Sequence, residues 1–106
     1  MDPGLLQHRV ELLEPQDARA ANGELLRIWV RYAYAWALIQ PLRGTEAMLA
    51  QQVQGRMQHR ITVRYDNRIK AEHRIRYGTR NFEINEIRNI DERDVYCELM
   101  CTEVVE

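Results

Sequence analysis

Serine does not occur in this sequence, and with it goes every mechanism built on a serine nucleophile. A glycine-rich phosphate loop, a nucleophile elbow and a metalloprotease histidine pair are missing as well. No apolar run approaches the roughly 20 residues that cross a bilayer. The N-terminal Met-Asp-Pro-Gly-Leu-Leu-Gln-His-Arg lacks the basic start, apolar stretch and cleavage site of a secretory signal, so cytoplasmic synthesis is expected. Cysteine is scarce. Cys97 and Cys101 stand four apart in an expected strand, roughly 13 Å between Cα atoms and beyond disulfide reach, so both read as reduced core thiols. His8, His59 and His73 are dispersed without ligand spacing, so neither a metal nor a cofactor is expected. The acidic pair Asp91-Glu92 sits in a turn with Arg88 and Arg93 and reads as solvated. Nothing here predicts an enzyme.

What is present is the composition of one small domain, residues 1–106, with enough chain for a single core and little surplus. The stretch from Tyr34 to Tyr65 organises it. Tyr34 to Gln40 has strand character and stops at Pro41, which has no N–H for a ladder. Thr45 to Gln54 is free of Gly and Pro and rich in helix formers, with Glu46, Leu49, Ala50 and Val53 on one face, and Gly55 is placed to end the helix. Ile61, Val63 and Tyr65 then alternate with Arg60, Thr62 and Arg64, which predicts a half-buried strand over Met57 to Tyr65 with a basic outer face. A short Gln-rich helix is thus predicted between two firm strands.

Around it, Leu6 to Glu14 reads as a strand ended by Pro15, and Gln16 to Gly23 as a loop closed by the turn pair Asn22-Gly23. A second strand is predicted over Glu24 to Arg31, with a break near residues 31–33. From there large Tyr34, Trp36 and Leu38 alternate with small Ala33, Ala35 and Ala37, which suits either a packing surface or a barrel interior. Arg74 to Tyr77 and the strand carrying Phe82 and Ile84 flank Gly78-Thr79, a type II′ hairpin pair. Ile87 breaks the period of two and predicts a bulge at Asn85-Glu86. Asp91 to Asp94 forms a charged turn before a last strand, Val95 to Val104, in which Val95, Cys97, Leu99 and Cys101 are expected on one face and Tyr96 and Met100 on the other. The predicted fold is mainly β: a small antiparallel barrel or sandwich of six to seven strands, with one short helix in a long excursion between strands. Ile61, Val63, Ile75, Phe82, Ile84 and Leu99 are its expected core.

Charge is segregated along the chain. Residues 1–53 carry a net of −1, residues 54–80 a net of +6 and residues 81–106 a net of −6. The basic and acidic strands can pair inside one barrel, where each exposed pair contributes only about 0 to 1 kcal/mol. Alternatively Arg60, Arg64, Arg74 and Arg76 can meet Glu98 and Glu103 of a neighbouring copy, a head-to-tail contact that closes into a ring.

Several segments together resemble the phage head-to-tail joining protein family, also described as head-closure, stopper or head-tail adaptor proteins. They are Leu5-Leu6-Gln7-His8-Arg9-Val10, Asn22-Gly23-Glu24 ahead of Trp29-Val30, and Ala35-Trp36-Ala37-Leu38-Ile39-Gln40-Pro41-Leu42. The series continues with Gly44, Glu46, Ala50-Gln51-Gln52-Val53 and His59-Arg60-Ile61-Thr62-Val63-Arg64-Tyr65. It closes with Arg80-Asn81-Phe82-Glu83-Ile84 and the Asp91-Glu92-Arg93 turn before Leu99-Met100-Cys101. The resemblance implies a small β-barrel in the neck of a tailed phage or prophage virion, assembled in the host bacterial cytoplasm. It would form a ring below the portal and adaptor that closes the DNA-filled head and docks the tail-terminator protein. Double-stranded DNA would pass through its channel. The channel-facing element would be the excursion, with Arg43, Gly44, Thr45, Glu46, Gln51, Gln52, Gln54, Gly55 and Arg56 as its polar and hinge residues. On the residues themselves, the helix can equally plug one end of the barrel with Leu49 and Val53. The other class open is a monomeric OB-like barrel that binds single-stranded nucleic acid through its Arg face. Of its aromatics, Tyr65 and Tyr77 are expected to point inward.

Overall fold

Val10, Leu12, Ile61, Val63, Ile75, Phe82 and Leu99 each alternate with polar or exposed neighbours, and a closed sheet is the arrangement that brings all of them to one interior. The computed structural model describes residues 3–42 and 58–104. Its strands are β1 (His8–Arg19), β2 (Leu25–Pro41), β3 (Gln58–Arg64), β4 (Arg74–Tyr77), β5 (Arg80–Asn89) and β6 (Tyr96–Val104). Every neighbouring pair is antiparallel, and the ring closes in the order β1-β2-β3-β6-β5-β4. All six expected core residues lie inside it. Phe82, the sequence's single phenylalanine, is fully buried. Ala33, Ala35 and Ala37 face the same interior, so the small face of β2 is the inside of a tapering barrel and Tyr34 and Trp36 stand on its outer wall. The expected helix of the excursion lies outside the described residues.

Turn chemistry behaves as the sequence predicts at three places. Gly78 takes a φ of 62°, with Tyr77 paired to Arg80 across a two-residue loop, as a type II′ turn requires. The register of β5 on β6 shifts between Ile84 and Glu86, which is the expected bulge. At Asp91 to Asp94 the backbone is left-handed at Asp91, Glu92 and Asp94, and the Asn89 side chain ties Asp94 down through two hydrogen bonds of 2.6 and 3.2 Å.

The first hairpin departs from expectation. β1 does not end at Pro15 but runs on to Arg19, with Pro15 opposite Trp29, and most of the expected Gln16 to Gly23 loop is strand. Beyond Leu13, β1 has β2 on one side and no strand on the other among the described residues, so a missing N–H need cost no ladder hydrogen bond. The turn itself is confined to Ala20 to Glu24. There the Gly23 N–H donates to the Ala20 carbonyl at 2.9 Å, and Gly23 adopts a φ of 86°. The break expected near residues 31–33 is a β-bulge inside one continuous strand: Leu12 pairs with Ala33, Leu13 with Arg31, and Tyr32 is left over.

Three smaller corrections concern exposure. Tyr65, expected inside, lies past the end of β3 and is exposed. Val95 precedes β6 and is exposed too, whereas Tyr96 is buried. Thr62 belongs to the outer alternation of β3, yet it is 1% exposed, flanked in register by Leu38 and Glu98.

Candidate functional site

β2 and β3 end together at one rim of the barrel. Pro41 pairs with His59, and the Leu42 N–H donates to the Gln58 carbonyl at 2.9 Å, so the chain leaves and re-enters the barrel on adjacent strands. All nine excursion residues singled out in the sequence, Arg43 to Glu46, Gln51, Gln52 and Gln54 to Arg56, lie outside the described residues. What is described is the rim that they join at Leu42 and Gln58. His59 is buried edge-on against Phe82, with ring centroids 5.1 Å apart, and faces the Glu103 carboxylate at 3.8 Å. Arg80 donates to the same carboxylate at 2.8 Å and holds its pKa below the usual range. His8 and Tyr77 meet edge to face at 5.2 Å on the neighbouring strands. The excursion is therefore footed on a rim whose charges are already fixed to one another.

The expected subunit-contact charges are largely engaged within the chain. Arg60 reaches Glu98 at 3.2 Å and Arg74 reaches Glu83 at 3.3 Å. Arg76 donates to Glu11, which also accepts from Arg31 at 3.2 Å, and Glu103 is held by Arg80. The Arg76 guanidinium, and then Arg31, keep the Glu11 carboxyl below its ordinary pKa against the opposing effect of burial. These are part-exposed pairs on the outer wall, each contributing about 0 to 1 kcal/mol. Of the six residues named, Arg64 alone makes no ion pair among the described residues; it is exposed at the end of β3.

Glu11, Arg80 and Glu83 were not legible as partners. Their pairing follows from which strands are neighbours, and in particular from closure of β1 onto β4, which sets Glu11 opposite Arg76. The outward aromatics were visible only as an alternation. Tyr34 is exposed beside Arg9 and Arg31, whose guanidinium carbons lie 4.3 and 4.5 Å from its ring centre. Both thiols are free and buried, and burial pushes Cys101 up to about 12 and Cys97 upward as well, which removes the thiolate that nucleophilic chemistry needs.

Comparison with known proteins matches residues 1–104 to the model of a family described as phage head completion protein. The chain belongs to that family. A protein from Shigella flexneri 2a, solved in solution, is 25% identical over all of this chain and 99% of its own, with a TM-score of 0.74. A chain in the virion of a native gene transfer agent particle is 21% identical, covering 94% of this chain and 96% of that one, with a TM-score of 0.68. A search of curated proteins returned no match. Membership in the head completion family makes this a structural component of a phage virion, and among the described residues no helix is long and apolar enough to cross a membrane.

Proposed function

We propose that this head completion protein forms a ring below the portal and adaptor, closes the exit of the DNA-filled head and offers its far side to the tail-terminator protein. The observation that carries the reading is the family match over residues 1–104. Double-stranded DNA passes through the ring, and assembly takes place in the host bacterial cytoplasm. The work is mechanical rather than catalytic.

The gate is the excursion from Arg43 to Arg56. The helix expected from its sequence, about ten residues, is too short to hold its shape alone, so what it packs against would set its conformation. Gly44 and Gly55 supply backbone freedom at its ends. Gln51, Gln52 and Gln54 offer neutral hydrogen-bonding groups toward DNA without gripping phosphate. Support comes from the rim, where Pro41, Leu42, Gln58 and His59 foot both ends of the excursion on paired strands. Against the single-strand-binding alternative stands the family match over residues 1–104, although the barrel leaves Tyr34, Trp36 and Tyr65 exposed.

Replacing Thr45 to Gln54 by a short Gly linker leaves the rim pairing untouched. Heads completed with that variant are expected to bind the adaptor and then lose DNA before tails attach. Retention of the genome at the wild-type level would remove the gate from this segment.

A further inference from the structure

We infer that the outer wall of the barrel around Tyr34 lines the bore of the ring and touches the phosphate groups of the duplex that passes through. The inference rests on the ring and the passing DNA proposed above, and it names the surface that meets that DNA.

β1, β2 and β4 turn one cluster of side chains outward here. Glu11 is paired across the sheet with Tyr34 on one side and Arg76 on the other, and Arg9 and Arg31 flank it, opposite Trp36 and Leu13. The guanidinium carbons of Arg9 and Arg31 lie 4.3 and 4.5 Å from the centre of the exposed Tyr34 ring, so two positive charges share one neutral group. Glu11 reaches Arg31 at 3.2 Å and also holds Arg76, while Arg9 makes no ion pair among the described residues. Three guanidinium groups are met by a single carboxylate.

A wider circle keeps the surplus. Arg64 and Asp66 share a cleft with Tyr34, and Asp66 is taken by Arg68 at 2.7 Å, which makes five arginines against two carboxylates. Arg60 and Arg74, on the strands to either side, are matched by Glu98 and Glu83. Residues 43–57 hold Arg43 and Arg56 against Glu46, so wherever they lie they add positive charge and do not discharge the wall. The chain as a whole is nonetheless at −1. Part of the balance sits on β5, which is opposite β2 in the strand order, and in the turn after it, where Glu86, Asp91, Glu92 and Asp94 outnumber Arg88 and Arg93. A barrel with a basic side and an acidic side presents one of them to a polyanion and holds the other away.

The chemistry of the wall suits phosphate. Planar guanidinium forks fit its oxygens, and contacts to the backbone of DNA read no sequence and let a bound protein slide along it. A wall past which a genome must move needs that property. Because a ring repeats the wall once per copy, contacts that are weak singly add up around the duplex.

A short DNA duplex titrated at low salt into the isotope-labelled protein is expected to shift the amide resonances of Arg9, Arg31, Tyr34 and Arg76. The salt slope of binding, roughly −0.9 per phosphate contact, is expected to shrink by about two in the double variant Arg9→Gln, Arg31→Gln, and Arg93→Gln on the acidic side is expected to leave it alone. Glu11→Gln, which removes the central carboxylate, is expected to tighten binding severalfold. Binding that the double variant leaves unchanged, weaker binding by a folded Glu11→Gln chain, or equal shifts with polyglutamate each overturn the phosphate contact. In filled heads, a photoactivatable phenylalanine analogue in place of Tyr34 is expected to crosslink to DNA. Crosslinks to virion protein alone overturn the contact and leave the ring standing, whereas absence of the wild-type chain from necks overturns the ring as well.

Discussion

Residues 10–13 and 14–19 belong to the same strand, and their surroundings differ. Over the first group β1 has β2 on one side and, from Glu11, β4 on the other, and Val10, Leu12 and Leu13 are buried. Over the second, among the described residues, it has β2 alone. β2 repeats the contrast: Ile28 is exposed on the ribbon, while Ala37, nine residues on, is fully buried between β1 and β3. Local preference does not distinguish the regions, since Ile28-Trp29-Val30 is as β-favouring as Ile61-Thr62-Val63. The number of neighbouring strands does. The barrel stabilises itself by burying a core and pairing its charges, and the ribbon holds apolar groups that the other described residues leave uncovered.

The largest expected effect lies on the barrel side. Phe82→Ala should cost about 3 to 5 kcal/mol, a large part of the roughly 5 to 15 kcal/mol that holds a domain together. Ile28→Ala in the isolated chain should change stability by no more than about 0.5 kcal/mol. Chemical denaturation of the two variants measures the contrast directly. Similar losses would mean that the ribbon belongs to the cooperative core.

That contrast also marks what was legible in the sequence. Alternation identified Ile61, Val63, Ile75, Phe82, Ile84 and Leu99 as core because their strands are buried on one face only, the case in which period two carries the information. It failed on the ribbon. Pro15 and the polar run after it read as a loop, since a strand with an empty side tolerates both features, and nothing local reveals which strands have an empty side. Tyr32 read as a break because a bulge and a break disturb periodicity alike. The site was legible in proportion to how local it was: the sequence offers Arg60, Arg74, Arg76, Glu98 and Glu103 as contact charges, and only register assigns the partners they have within the chain.

Between the regions sits a pH-sensitive seam. The Lys70 N–H donates to His73 Nδ1 at 3.3 Å, so that nitrogen is the acceptor and the Tyr32 hydroxyl, 2.8 Å away, donates to it as well. Burial lowers the His73 pKa below 6.5, against the smaller opposing pull of Glu72 and Glu14, and raises Tyr32 to about 12. The folded state therefore holds fewer protons at His73 than the unfolded chain does. Stability is full above the unfolded value and falls as pH drops through the lowered one, with a slope below the one-proton limit of about 1.4 kcal/mol per pH unit. Melting of the wild type between pH 7.5 and 5.5, as round values spanning about 6.5, should show this fall, and His73→Gln should flatten it. An unchanged slope in the variant would place the titration elsewhere.

A smaller effect is expected at Glu11, where two arginines converge on one carboxylate. Its depressed pKa makes the contribution complete above the ordinary carboxylate range and lost as pH falls through the lowered value. Because the pairs are part-exposed, Glu11→Gln should cost at most about 1 kcal/mol at neutral pH and less in high salt. Urea midpoints at two ionic strengths would measure it, and a loss that salt leaves unchanged would point to packing rather than charge.

The smallest expected effect sharpens the comparison most. Removing Asp17 to Arg27 and joining Gln16 to Ile28 through Asn-Gly replaces the ribbon's outer part by a two-residue hairpin that fits the existing Gln16–Ile28 pairing. Trp29 stays against Arg74, and the Tyr32 bulge stays with His73. No buried core residue lies in the excised stretch. The isolated chain should then keep its stability within about 0.5 kcal/mol, because the ribbon contributes little to the barrel and a shorter loop costs slightly less entropy to close. A drop comparable to that of Phe82→Ala would show that the barrel depends on its arm. Preserved stability would leave Leu25, Leu26 and Ile28 with no structural role in the isolated chain, and contact with another surface would be what remains to account for them.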